Sequence, residues 1–224
     1  MTGPVVVIDY GAGNLRSVAR ALAHVDEVPV VSADPSDIDH AGAVVLPGVG
    51  AAADTMSNLI SRNLVEPLLQ YINAGRPFLG VCMGLQALFE RSEEGGGQQC
   101  LGVLPGEARQ FEAGDGRKVP HMGWNTVEWL RSHPVAADIP TGSYFYFVHS
   151  YYPWTDSESL ALGATDYGVT FPSIVARGSI VAAQFHPEKS GEHGLRLYSN
   201  FVKWARAGAP HTDQPVALRT SGVG

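Results

Sequence analysis

Short, unbroken apolar runs alternate with helical periods through the first half of the chain, and this rhythm limits the available folds more than any other feature. Val5–Asp9 reads as a buried strand ending in the turn Asp9-Tyr10-Gly11-Ala12-Gly13. Asn14 can then cap a helix that carries Leu15, Val18, Ala19 and Leu22 on one face. Val28–Val31 is a second strand, and Ala43–Leu46 a third, broken by Pro47-Gly48-Val49-Gly50. A helical stretch from Ala52 to Asn73 contains Pro67, which marks a boundary or a kink. Phe78–Val81 is a fourth strand that runs directly into a helix over Met83–Arg91. Strands and helices following one another at this spacing predict an α/β fold: an open, mostly parallel central sheet with helices on both faces.

After Gly95-Gly96-Gly97 the rhythm changes. Short β-like segments follow around Arg109–Phe111, Thr126–Trp129, Tyr144–Val148, Leu160–Thr165, Thr170–Ala176 and Ile180–Phe185, with few helical periods between them. Antiparallel additions to the sheet are expected in this C-terminal half. Ser190 opens a last helix with Leu195, Tyr198, Phe201, Val202 and Ala205 on one stripe. The expected organisation is one domain over 1–207 and a flexible tail over 208–224, since no repeat or linker divides the chain.

The chain has 224 residues and a net charge of −7, without a local Lys/Arg cluster, which argues against nucleic acid as a partner. The start, Met1-Thr2-Gly3-Pro4, has no basic region and leads into an apolar run too short for a signal peptide. No stretch approaches the roughly 20 apolar residues of a membrane helix, so no membrane partner is expected. The only cysteines, Cys82 and Cys100, form no CxxC. A disulfide framework or structural zinc is disfavoured, and a reducing cytoplasm is the expected setting.

Gly80-Val81-Cys82-Met83-Gly84 at a strand-to-helix junction has the form of a nucleophile elbow with sulfur in place of oxygen. A tight turn pushes the side chain clear of the sheet, while glycines two before and two after let strand and helix pass. The first N–H groups of the helix, at its positive dipole end, then favour a thiolate. Alone, the same motif equally suits a buried structural cysteine.

A nucleophilic thiol needs a base, and the base needs a group to orient it. His186, in Gln184-Phe185-His186-Pro187-Glu188, follows the strand Ile180–Phe185. In a parallel sheet, both it and Cys82 can emerge at the C-terminal edge where ligands bind. Glu188 can turn back to hold the imidazole and stabilise its charged form. A His-Pro-Glu segment by itself is more often a surface turn, and its coupling with the elbow changes the reading.

Pro47-Gly48-Val49-Gly50 also follows a strand, and its glycines let the backbone approach a ligand closely. Together with the Met83 N–H, an amide of this turn, at Val49 or Gly50, can form an oxyanion hole. The same glycines satisfy a dinucleotide fingerprint through Ala53, but Pro47 and the position after a third strand weigh against it. His186, Glu188, Glu192 and His193 superficially suggest a metal cluster, yet no His pair has the helical spacing of ligands, so neither metal nor cofactor is expected. His121, in His121-Met122-Gly123-Trp124-Asn125, is either a loop ligand or an ordinary loop residue. Trp124 is a packed lid or an interface anchor. Tyr144–Phe147 with Tyr151-Tyr152 reads as core plus sheet surface, and Cys100 as inert.

Taken together, the Pro47–Gly50 turn, the Gly80–Gly84 elbow with Gln86 following, and His186-Pro187-Glu188 resemble the class I (triad) glutamine amidotransferase family, over Val5 to about Ala205. The resemblance implies a flavodoxin-like fold and hydrolysis of L-glutamine, with Cys82 as nucleophile, His186 as base and Glu188 as its orienter. It carries over Gly48, Gly50, Gln86 and the segment His149, Ser150 and Tyr151 as glutamine contacts. Asp9–Asn14, the 121–125 segment and Phe147–Tyr152 narrow the likeness to members that pass ammonia to a separate (β/α)8-barrel cyclase subunit in histidine biosynthesis. Asn14 and Trp124 would then belong to the interface with that barrel. A glutaminase serving another acceptor, a thiol hydrolase acting on γ-glutamyl peptides, and a non-catalytic regulatory subunit are the alternatives.

Overall fold

The first, third and fourth apolar runs become strands buried on both faces, the second an exposed edge strand, and the segments between them pack as helices on either side. In the computed structural model, which describes residues 3–25, 27–114 and 118–210, the first half runs β1 (Val5–Ile8), α1 (Leu15–His24), β2 (Val30–Ser32), α2 (Pro35–His40), β3 (Ala43–Gly48), α3 (Ala52–Ser61), α4 (Val65–Asn73), β4 (Phe78–Cys82) and α5 (Met83–Gln86). The second half runs β5 (Arg91–Ser92), β6 (Gln98–Gln99), β7 (Glu107–Gln110), β8 (His121–Trp129), β9 (Ser143–His149), β10 (Tyr151–Trp154), β11 (Ala161–Asp166), β12 (Thr170–Arg177), β13 (Ile180–Ala183) and α6 (Gly191–Arg206). The large sheet has the order β2-β1-β3-β4-β13-β12-β11-β8-β9. Its strands are parallel from β2 to β13 and antiparallel from β12 to β9, the mixed α/β sheet expected from the sequence. A small sheet, β10-β7-β5-β6, is hydrogen-bonded separately, with Tyr152 of β10 packed on Phe171 of β12.

Strand alternation divides the core. Val5, Val7, Val45, Leu79 and Val81 face one layer with Val18 and Leu22 of α1 and Phe201 of α6. Val6, Ile8, Val44, Leu46 and Phe78 face the other, with Ile38, Leu59, Leu68 and Leu85. Because β3, β4 and β13 are parallel neighbours, Gly48, Cys82 and the residues after Ala183 emerge at one sheet edge. This placement brings distant parts of the chain to a common site.

Local departures from the sequence reading have physical causes. The stretch from Ala52 to Asn73 is two helices, parted where Asn63 takes a left-handed φ of 56°. Pro67 lies in the first turn of α4, where its missing N–H has no partner to lose. The helix after Cys82 is one turn, not Met83–Arg91: Ala87, Leu88 and Phe89 give their carbonyls to the amides of Leu101, Val103, Leu104 and Gly102. The second strand begins at Val30, leaving Val28 exposed beside the sheet rim. The 121–125 segment, read as a loop, is the start of β8, with His121 opposite His149 and Trp124 opposite Tyr146. Within the expected tail, Ala209 is buried and bonds to the Trp204 carbonyl, and Trp204 Nε1 donates to the Pro210 carbonyl. The remainder of the tail, from 211, lies outside the described residues.

Candidate active site

Cys82 ends β4 at φ 54°, ψ −105°, a conformation that costs a non-glycine residue about 1–3 kcal/mol. The flanking glycines make the turn possible. A Cβ at Gly80 would stand 2.7 Å from the Gly84 carbonyl oxygen and 3.0 Å from the Ala182 Cβ, and one at Gly84 would overlap the Leu46 carbonyl oxygen. Cys82, 6% exposed, is thereby held where β4 turns into α5, and its sulfur receives Gln184 Nε2 at 3.7 Å. With one turn of helix following, little macrodipole can accumulate. What the elbow supplies is the local backbone N–H groups.

His186 is clamped by its backbone: its N–H donates to the Tyr146 carbonyl at 2.9 Å, and its carbonyl accepts from Ser190 Oγ at 2.6 Å. Ser190 therefore does not cap α6 with its side chain; its Oγ also accepts the Tyr146 N–H. The imidazole Nδ1 is 2.7 Å from Glu188 Oε1, and both side chains are buried. Burial opposes protonation of this ring, but the Cys82 sulfur and the Glu188 carboxylate outweigh it and push the pKa up to about 10. Its Nε2 is buried and makes no hydrogen bond to a described residue. Glu188 also accepts Asn14 Nδ2 at 2.5 Å on Oε1 and the Tyr198 hydroxyl at 3.4 Å on Oε2. Asn14, at φ 72°, thus spends its amide on Glu188 and makes no cap for α1.

A cavity of about 360 Å³ opens between these elements, within the ~300–1,000 Å³ common for small-molecule sites. Its wall brings together Cys82, Met83, Val49, Gly50, His186, Gln86 and the segment His149, Ser150 and Tyr151. Gly48 pairs with Cys82 across β3 and β4; a Cβ there would overlap the Tyr10 hydroxyl and approach the Met83 Cβ to 2.7 Å. Gly50 has open space around it and φ 101°, so its requirement is conformational. Gln86 is buried, with Nε2 donating to the Tyr151 carbonyl at 2.8 Å and to Gln184 Oε1 at 2.9 Å. Trp124 is not on this wall. It is 56% exposed, set edge-on to Tyr146, beside a second hollow shared with Glu192 and His193. Among the described residues no cluster of three His, Cys, Asp or Glu can hold a metal. Cys100 is half-buried, and burial, aided by Glu94, pushes its thiol up to about 11.

Sequence reasoning missed Glu94, Gln184 and the His121–His149 pair. Glu94 lines the cavity and its Oε2 accepts the Ala52 N–H at 2.6 Å, tying the glycine-rich 94–97 segment to the start of α3. Nothing in Glu93-Glu94-Gly95 distinguishes it from a solvated loop. Gln184 carried a usable signal, since it lies two residues before His186.

A profile of the family described as "Glutamine amidotransferase class-I" matches residues 6–204. The imidazole glycerol phosphate synthase subunit HisH of Chloroflexus aurantiacus is 48% identical over 209 residues, covering 92% of this chain and 98% of that one. Subunit HisH 1 of the same synthase from Pseudomonas aeruginosa is 50% identical over 210 residues, covering 91% and 98%. A crystal structure of a glutamine amidotransferase superimposes with a TM-score of 0.71 at 19% identity, covering 90% of this chain and 98% of that one. The PurLQS structure from Thermotoga maritima gives 0.68 at 17% identity, with 91% and 99% covered. At those identities the structures speak to the fold alone.

Proposed function

The chain belongs to the class-I glutamine amidotransferase family, and from that premise we propose that it is the glutamine-hydrolysing subunit of an imidazole glycerol phosphate synthase. The observation that carries the chemistry is His186, buried with Glu188 on one ring nitrogen and sharing the cavity wall with Cys82. The groups that raise the imidazole pKa favour moving the thiol proton from Cys82 to His186. The thiolate attacks the side-chain amide carbon of glutamine. The resulting oxyanion is held by the Met83 N–H and an N–H of the turn at Val49 or Gly50. His186 returns its proton to the departing nitrogen, ammonia leaves, and a γ-glutamyl thioester remains on Cys82. Water, deprotonated by His186, hydrolyses the thioester to glutamate and restores the thiol.

Gln86, Gly50 and the 149–151 segment hold the amino-acid end of the substrate, where the Glu94 carboxylate supplies a negative charge for its ammonium group; Gly48, expected with them, is not on the cavity wall. No cofactor enters these steps. The acceptor of the ammonia is a (β/α)8-barrel cyclase subunit. Met122 and Trp124 on β8 and Tyr144 on β9 are large, exposed and apolar, and they share one face of the hairpin with Val148 at the cavity wall. An aromatic stripe that begins at the site suits a docked partner covering its mouth, which would keep ammonia from protonation in bulk water. No helix among the described residues is long and apolar enough to cross a membrane.

The test is ammonia release from glutamine by the chain alone, then with the cyclase subunit and its nucleotide. The reading expects release that rises on adding both. Release that is absent throughout, or indifferent to the partner, contradicts it.

A further inference from the structure

Gln86 stands at the cavity wall, and the direction its amide faces decides what it can bind. Both hydrogens on Nε2 are committed, to the Tyr151 carbonyl and to Gln184 Oε1. Its Oε1 is buried and accepts from no described residue. The Tyr151 carbonyl receives a second hydrogen bond from His149 Nδ1 at 2.8 Å, so both of its lone pairs are occupied.

The polarity can be followed outward. A ring nitrogen facing a carbonyl oxygen must carry hydrogen, which makes Nε2 of a neutral His149 an acceptor. That Nε2 is 2.9 Å from His121 Nδ1, which must then donate. His121 Nε2 is left as an acceptor and meets Asn125 Nδ2 at 3.2 Å. Asn125 is oriented independently, since its Oδ1 accepts the Thr126 N–H at 2.8 Å and its Nδ2 donates to the Asp166 carbonyl at 2.9 Å. Each assignment agrees with the next. The rings of Phe147 and Tyr167 stack against His121, while Phe111 and Phe171 pack on His149. Such surroundings disfavour charge on either imidazole, and burial lowers their pKa values to about 4 and about 3.

We propose that Asn125, His121 and His149 form a buried relay of fixed polarity that positions the Tyr151 carbonyl and, through it, Gln86, so that the Gln86 oxygen is offered to the substrate's α-ammonium group. The choice of an amino acid as substrate rests on the reading above; the relay itself does not. His121 and Asn125 act as positioning residues through His149 and Tyr151. Saturated by two donors, the Tyr151 carbonyl is a fixed point and not a competitor for the ammonium. A buried acceptor without a donor is destabilising, and a substrate N–H offsets that cost.

Two measurements on the full chain decide this. With ¹⁵N-labelled histidine, His121 and His149 are expected as neutral Nδ1–H tautomers from pH 6 to 8. Either ring found as the Nε2–H tautomer, or charged, overturns the relay, whatever substrate the protein uses. In the complex with the cyclase subunit, His149→Ala should raise KM for glutamine more than about tenfold, with kcat falling less. His149→Asn keeps an N–H near the place of Nδ1 but loses the acceptor for His121 Nδ1, so its KM should fall between those of wild type and His149→Ala. Equal KM values for the Ala and Asn variants also overturn the proposal. Should wild type release no ammonia from glutamine, the functional reading fails, and the tautomers still decide the relay.

Discussion

Asn14 and Glu188 lie 174 positions apart in sequence, yet the Asn14 amide donates to Glu188 Oε1 at 2.5 Å, the oxygen that also faces His186 Nδ1 at 2.7 Å. The left-handed backbone of Asn14 places its side chain there instead of over the first turn of α1. Asparagine adopts that conformation more readily than most residues because its short polar side chain bonds locally. The loop after β1 thereby bears directly on the carboxylate that orients His186.

Removal of this amide is expected to act on turnover. A hydrogen bond to a charged group contributes about 1.5–3 kcal/mol. Asn14→Ala should therefore lower kcat about 10- to 100-fold with KM for glutamine little changed. Asn14→Asp, which sets a second carboxylate against Glu188, should be worse than Ala. Steady-state kinetics of the complex give the order, and an Asp variant as active as Ala would refute the contact.

The glycines of the site should fail for different reasons. A Cβ at Gly84 would overlap the Leu46 carbonyl oxygen, a rigid backbone atom, so Gly84→Ala must displace β3 or α5. Overpacking of this kind costs about 3 kcal/mol, or about 6–12 °C in Tm. At Gly50 a Cβ meets nothing within 4 Å and only the φ of 101° is strained, so Gly50→Ala should cost about 1–2 kcal/mol. Thermal unfolding of the two variants checks the difference.

Stability should fall on both sides of neutrality, with a different histidine dominating each limb. His186, raised to about 10 from an ordinary 6.5, keeps a proton in the folded chain that the unfolded chain releases. Its contribution is complete below about pH 6.5 and is lost as pH rises towards 10. His121 and His149, lowered to about 4 and about 3, refuse protons that the unfolded chain binds, so stability falls as pH drops below 6.5. Urea unfolding across pH 4–10 should show His186→Gln flattening the alkaline limb and His149→Asn flattening the acid limb.

Much of the fold was legible because burial on both faces writes β1, β3 and β4 as continuous apolar runs. The Gly80 and Gly84 pair was legible because its spacing around Cys82 is local, although two of the groups that exclude a Cβ there, the Leu46 carbonyl and the Ala182 Cβ, come from neighbouring strands. Illegible features were those decided by partners remote in sequence. Asn14 reads as a cap until Glu188 arrives from the far end of the chain. The helix after Met83 reads as longer than one turn because the amides of 101–104 that take its carbonyls leave no local mark. His121 reads as a loop residue because Gly123 interrupts a strand whose pairing with β9 is set by tertiary context.

The central claim is that the Cys82 sulfur carries the γ-glutamyl group between loss of ammonia and attack of water. Its most direct test is mass spectrometry of the complex with the cyclase subunit, acid-quenched during turnover on glutamine, beside a Cys82→Ala complex. The account predicts a γ-glutamyl group on the peptide containing Cys82, and neither adduct nor ammonia from Cys82→Ala. Ammonia release by Cys82→Ala at the wild-type rate would contradict it.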